Sequence, residues 1–174
     1  MKIEELLTTY WSQIILLLSF VGYFGKRIFD NKSKKREINH TLFQQYRLKS
    51  VNDFFTSYAK TERMWQDLSI YPILEYKIGT KEMDNIIFEP INELRKNILE
   101  LQIYFPEKEN EIFEKILDNI LSINGKLSSI YFNYDKEISP IVKSNDFGFF
   151  RDEKLKENNE LFKEVSKIIK RTFN

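Results

Sequence analysis

Apolar and polar residues alternate along this chain with a helical period, apart from one uncharged stretch near the N-terminus. No charged residue lies between Glu5 and Lys26. As a helix rising roughly 1.5 Å per residue, the stretch from Leu6 to Gly25 would span about 30 Å, which matches the hydrocarbon core of a bilayer. Aromatic residues lie near both of its ends, as in the belts at membrane interfaces. The pattern predicts one membrane-spanning helix.

The charges around this stretch predict its orientation. A cleaved signal peptide would carry its positive charge before the apolar run, whereas here the basic residues follow it. Six basic residues come soon after the run: Lys26, Arg27, Lys32, Lys34, Lys35 and Arg36. Basic residues favour the cytoplasmic side and anionic lipid headgroups. We therefore expect a single pass through a bacterial inner membrane, with the N-terminus outside and the C-terminal domain in the cytoplasm.

Small and polar residues recur along one side of the same predicted helix. They are Thr8, Ser12, Ser19 and Gly22, with Gln13 beside them. Small residues let helices approach closely, and hydroxyl and amide groups can form hydrogen bonds across a helix interface. One interpretation is that several copies associate through this face, which would line a pore if the copies enclose water. The other is that the hydroxyl groups bond to their own backbone and the stripe is accidental.

The rest of the chain has the pattern of a helical bundle. Apolar residues recur at helical spacing after the basic run, and the whole chain contains only five Gly and four Pro. No alternating strand pattern is present. We expect an all-α protein in which residues 1–36 form the transmembrane anchor and juxtamembrane segment. Residues 37–174 would then form a cytosolic bundle of four or five helices.

Prolines set the expected helix boundaries. A break is expected over residues 69–80, and Pro90 should kink the next helix or mark its true start. Pro106 should open a third long helix. Residues 140–150, which contain Pro140 and the sequence SNDFGFF, are expected to form a loop. The last helix should then run from about residue 152 to 172.

The composition excludes several kinds of chemistry. Because the chain has no cysteine, it can form no disulfide, thiolate metal site or cysteine nucleophile. It also lacks a glycine-rich phosphate loop, a G-x-S-x-G motif and His residues at metal-ligand spacing. No cofactor and no metal site are expected, and the leading prediction is a protein without enzymatic activity.

One pair of residues is compatible with catalysis. The only histidine, His40, lies four residues after Arg36 and therefore on the same helix face. In a ribonuclease site, a histidine acts as general acid or base while an arginine holds the phosphate. The alternative is an exposed histidine beside a basic run. A second catalytic group would have to come from another subunit.

The chain resembles the small membrane accessory proteins of type VI-B CRISPR systems. The resemblance rests on the aromatic-ended apolar stretch, the sequence KRIFDNKSKKRE, and a small helical body carrying one Arg…His pair. It implies a HEPN-like helical bundle, a ring of subunits that forms a membrane pore, and antiviral defence beside an RNA-guided RNA nuclease. The family motif is R-x(4–6)-H, whereas Arg36 and His40 are separated by three residues, and only Lys35 reaches the spacing of four.

Three functions are compatible with these features. The leading one is an oligomeric membrane protein that forms a pore or depolarises the inner membrane during defence. The second is a membrane-tethered HEPN-like ribonuclease whose RNA cleavage depends on His40, although the resemblance favours a structural or RNA-contacting role of Arg36 and His40 over catalysis. The third is a membrane scaffold that recruits a cytosolic partner. The expected partners are therefore the lipid bilayer, further copies of the chain and, through the resemblance, an RNA-guided RNA nuclease.

Overall fold

A computed structural model describes residues 3–76, 79–132 and 138–173 of the chain, without the side chains of residues 3–9, 12, 14 and 173. All regular structure in this part is helical, which confirms the predicted all-α class. The helices are α1 (Ile3–Asp67), α2 (Ile70–Tyr76), α3 (Thr80–Gln102), α4 (Glu107–Phe132) and α5 (Pro140–Phe173).

The chain divides into two compact units, residues 1–46 and residues 47–174. The sequence placed a division after residue 36, within the same helix. Helix α1 supplies the described part of the first unit and also continues into the second. The second unit contains every buried apolar side chain of the described residues, so it is the part with a hydrophobic core.

The prediction of a membrane-spanning helix, and with it of a single-pass inner-membrane protein, is wrong for this structure. No helix in the described residues is long and apolar enough to cross a membrane. The predicted pore and membrane scaffold both depended on such a helix.

The core of the second unit is built around Phe54 of α1, which is fully buried. Its ring lies 5.3 Å from the ring of Phe113 on α4 in an edge-on arrangement, and 5.9 Å from Phe162 on α5. Aromatic pairs at these separations stabilise a core beyond the area that they bury. Apolar residues of α3 and α4 complete the core at helical spacing: Ile87, Ile91, Leu94, Ile98, Ile116, Ile120, Ile123 and Leu127.

Polar side chains inside this unit join helices that are distant in sequence. Asn158 of α5 is fully buried; its amide group donates to the carbonyl of Ile116, and its oxygen accepts a bond from Asn119 at 2.8 Å. The hydroxyl of Thr61 has one proton and two acceptors within reach, the carbonyls of Ser57 and Pro90. Because buried polar groups are costly unless they are bonded, these contacts fix the packing of α1, α3, α4 and α5.

The end of α1 is held by a side chain from α5. The last carbonyl groups of a helix have no partner within the helix. Arg151 donates from Nη1 to the carbonyl of Trp65 at 3.2 Å, two residues before α1 ends. A positive charge at this position also interacts favourably with the helix dipole. Nearby, the rings of Trp65 and Phe147 pack 6.1 Å apart, so α1 and α5 are joined by polar and apolar contacts.

Two expected interruptions are borne out only in part. Pro90 was expected to kink its helix or to mark the start of that helix; it lies inside α3 and is buried, so it does not begin the helix. A proline there costs about 3 kcal/mol, which the burial of Ile87, Ile91 and Leu94 offsets. The expected break at residues 69–80 separates α1, which ends at Asp67, from α3, which begins at Thr80, but it also contains the short helix α2, which buries Ile70 and Ile73.

The prediction of a loop over residues 140–150 is wrong, because these residues belong to α5. Pro140 is the first residue of α5, where its missing N–H costs nothing. The preceding Ser139 accepts bonds from the backbone of Val142 and Lys143, as expected for a residue that caps a helix. The helix continues through Gly148 because Phe147 is fully buried against the core. Helix α4 begins at Glu107, as the position of Pro106 predicted.

Removing the Phe54 ring should destabilise the bundle strongly. Phe54→Ala leaves a cavity between the rings of Phe113 and Phe162, and a buried Phe→Ala change costs about 3–5 kcal/mol. Guanidinium unfolding followed by circular dichroism measures this loss. The control is Phe149→Ala, because that ring is 80% exposed and should cost no more than about 0.5 kcal/mol. Equal losses in the two variants would contradict the described core.

Alkaline pH should destabilise the bundle through Tyr58. Burial raises the pKa of its hydroxyl well above the ordinary value; the neighbouring Asn158 partly offsets the rise, and the Glu62 carboxylate adds to it. The folded state therefore keeps the phenol proton where the unfolded state loses it, and stability falls as the pH rises above about 10. Unfolding curves at neutral and alkaline pH should show a smaller alkaline loss for Tyr58→Phe. The exposed Tyr76→Phe should behave as the unmodified chain.

Candidate interaction surface

The described side chains from Ile15 to Phe43 in the first unit are exposed on all sides of the helix. Every side chain from Ile15 to Phe43 is exposed, including large apolar ones such as Leu16, of which 70% is accessible. In contrast, apolar residues of the second unit alternate between buried and exposed positions. The exposure of the first unit therefore points to contacts that one copy of the chain does not make by itself.

The apolar segment, defined here as Tyr10–Gly25, carries the largest part of this exposed surface. Its exposed apolar side chains are Tyr10, Trp11, Ile15, Leu16, Leu17, Leu18, Phe20, Val21, Tyr23 and Phe24. At roughly 150–250 Å² for a large side chain, their exposed area is on the order of 1,000 Å². The largest apolar patch on a typical monomer is about 300–600 Å². A surface of this size marks an interaction site.

The apolar side chains surround the helix. At about 100° per residue, the exposed side chains of the segment leave no gap wider than about a quarter of the circumference. Aromatic rings stack along it, with Phe20 and Phe24 4.5 Å apart between ring centres. A helix that is apolar on every side is normally enclosed by other elements. The segment therefore has the properties of a core helix that lacks its surroundings.

The predicted stripe of small and polar residues is only partly described. The side chains of Thr8 and Ser12 lie outside the described residues. Gln13, Ser19 and Gly22 are exposed, and a Cβ atom added at Gly22 would meet nothing within 4 Å. Their role in contacts between copies stays a prediction. The small size of Ser19 and Gly22 is compatible with a close approach of a second helix.

The basic segment, defined as Lys26–Arg36, follows directly. Its cations Lys26, Arg27, Lys32, Lys34, Lys35 and Arg36 are all exposed. None of the six forms an ion pair with a described residue. The predicted contact with lipid headgroups stays a prediction, now without the spanning helix that would place these residues at a bilayer.

The predicted ribonuclease pair is exposed as well. Arg36 and His40 lie on the same side of α1, and neither forms a hydrogen bond or ion pair with a described residue. A general base needs a group that orients it, and the described part of the chain supplies none for His40. The described residues also contain no group of three or more His, Asp or Glu placed to hold a metal ion. RNA cleavage by this pair stays a prediction.

The sequence did not reveal which aromatic side chains accompany these cations. Phe29 is 72% exposed beside the basic residues, and Tyr46 at the end of the first unit is 58% exposed. In a helix of ordinary amphipathic character, both would be assigned to a buried face. What separates these two exposed aromatic residues from buried ones is the number of charged residues near them in the sequence, since a helix face that contains several cations does not pack into a core.

Comparison with known proteins finds no match: no family model, no curated protein and no solved structure is similar to this chain. The resemblance to CRISPR accessory proteins therefore stays a prediction from the sequence. The features of this chain that bear on its function are the exposed apolar segment, the basic segment and the packed bundle.

Proposed function

We propose that this chain is a non-enzymatic, self-associating protein whose apolar segments, Tyr10–Gly25, pack against one another in an assembly of more than two copies. The observation that carries the proposal is the exposure of large apolar side chains on every side of this helix. Leaving on the order of 1,000 Å² of apolar surface in water is costly, at roughly 25 cal/mol per Å².

A second copy of the chain is the occupant that fits this surface best. The complement of an uncharged apolar helix is another uncharged apolar helix, and each copy brings one. The exposed area is comparable to the about 800 Å² that each partner buries in a standard interface. Ser19 and Gly22 add small positions at which helices can approach closely. Most assemblies of soluble proteins are made of identical subunits.

More than two copies are needed because apolar side chains cover the whole circumference of the helix. In a pair, each helix contacts its partner along one narrow stripe, and a wider apolar surface favours more helices. Ile15 and Leu17 point to nearly opposite sides at about 100° per residue, and they are 47% and 65% exposed. A single partner helix could not cover both residues.

The bundle of residues 47–174 is the folded body that each copy would carry into the assembly. The buried face of α3 and α4 and the bond from Arg151 to Trp65 support its role as a stable body. The resemblance found in the sequence gives a biological setting for such an assembly, antiviral defence beside an RNA-guided RNA nuclease. That setting is an expectation that phage-challenge assays with and without the gene can test.

Charged substitutions on opposite sides of the segment should each dissociate the assembly. The unmodified chain should form a discrete species of more than two copies, whereas Ile15→Glu and Leu17→Glu should each give the 21.0 kDa monomer. The reason is that each substitution buries an unpaired carboxylate in an apolar interface. Native mass spectrometry and analytical ultracentrifugation measure the masses, and circular dichroism checks that the helices remain.

The matched control is Leu99→Glu in α3, because Leu99 is 59% exposed in the bundle and outside the apolar segment. This variant should assemble as the unmodified chain does. A monomeric unmodified chain, or open-ended aggregates without a defined mass, would contradict the proposal. Dissociation by only one of the two segment variants would indicate a simple pair and would contradict the larger assembly.

A further inference from the structure

The positive charge of this chain is concentrated in the basic segment, Lys26–Arg36. The segment contains six basic residues and one acidic residue, Asp30. The whole chain has 27 basic and 26 acidic residues, so the remainder, with 21 basic and 25 acidic, has a net charge of −4. An anionic partner is therefore attracted to this segment and repelled on average by the rest of the chain.

The cations of the basic segment differ from several of those of the bundle in their partners. In the bundle, some lysines lie beside carboxylates; for example, Lys154 pairs with Glu157 at 2.8 Å and Lys163 with Glu160 at 2.7 Å. The six cations of the basic segment have no such partner among the described residues. Their charge is therefore available to an external anion without first breaking an ion pair.

The arrangement of these cations distinguishes between two anionic partners. At about 100° per residue, the six side chains surround the helix and leave no gap wider than about a quarter of its circumference. A flat bilayer surface contacts one side of a helix, and helices that lie on membranes keep their cations on one face. A flexible polymer that carries one negative charge on each monomer can instead follow the cations around the helix.

Exposed aromatic rings lie on the same helix as the cations. Phe29 lies within the basic segment and is 72% exposed, while Tyr46 follows at the end of the first unit and is 58% exposed. Proteins that bind single strands combine cations for the phosphates with aromatic rings on which bases stack. A lipid headgroup offers phosphate but no base to stack.

We infer that the basic segment binds single-stranded nucleic acid, with its cations on the phosphodiester backbone and Phe29 stacked on a base. RNA and single-stranded DNA share this chemistry. The inference does not depend on self-association, because the cations and Phe29 lie outside the apolar segment. It also does not depend on cleavage, because no step requires His40.

Neutralising part of the segment should weaken binding and reduce its salt dependence. Fluorescence anisotropy with labelled single-stranded RNA and DNA of mixed sequence, at several salt concentrations, measures both quantities. For Lys32, Lys34 and Lys35 changed together to Gln, affinity should fall by roughly tenfold or more, and the slope of log K against log salt should become shallower by about 2. Phe29→Ala should lower affinity roughly fivefold or more without changing the slope.

The matched control changes three ion-paired lysines of the bundle, Lys96, Lys154 and Lys163, to Gln. It removes the same net charge and should change affinity little. An equal loss in this control would show non-specific attraction and would overturn the inference. So would duplex DNA binding as tightly as single strands, or binding to phosphatidylserine vesicles that single-stranded RNA does not compete away. Repeating the titration with Leu17→Glu separates binding by one copy from the effect of assembly.

Discussion

The burial of Phe54 between Phe113 and Phe162 is the contact on which the described bundle depends. It brings α1, α4 and α5 together at one point, with ring centres 5.3 Å and 5.9 Å apart. The buried hydrogen bonds of Asn158 and Thr61 can then form in only one arrangement of the helices. Dense packing fixes the distances, and the buried bonds fix the register, because a buried polar group without a partner is costly.

The two units of the chain differ in whether their apolar side chains are buried. Residues 47–174 bury theirs within one copy, while the apolar segment leaves its side chains exposed on all sides. The absence of charge from Tyr10 to Gly25 favours association with an apolar surface and gives no advantage in water. The proposed assembly follows from this contrast, since it gives the first unit the enclosed environment that the bundle already has.

The distribution of charge divides the first unit into an apolar segment and a basic segment. The apolar segment and the basic segment are neighbours on one helix, yet they favour different partners, a second apolar helix and an anionic strand. Close assembly of several copies would bring several basic segments near one another. Repulsion between them would oppose assembly, and a bound polyanion would relieve that repulsion, so the two proposed contacts would favour each other.

The sequence by itself determined the helical class, the uncharged stretch up to Gly25, the basic segment and the start of α4 after Pro106. These features depend on local spacing and on the chemistry of neighbouring residues, which one chain displays directly. It left open whether Pro90 begins α3 or lies within it, and it did not reveal that residues 140–150 are helical, because the local cost of these positions is offset by burial of Ile91, Leu94 and Phe147. The length of the apolar run suggested a membrane span that no described helix supports. The tertiary structure alone placed Arg151 on the carbonyl of Trp65 and Asn158 on that of Ile116, since contacts between residues far apart in sequence leave no local signal.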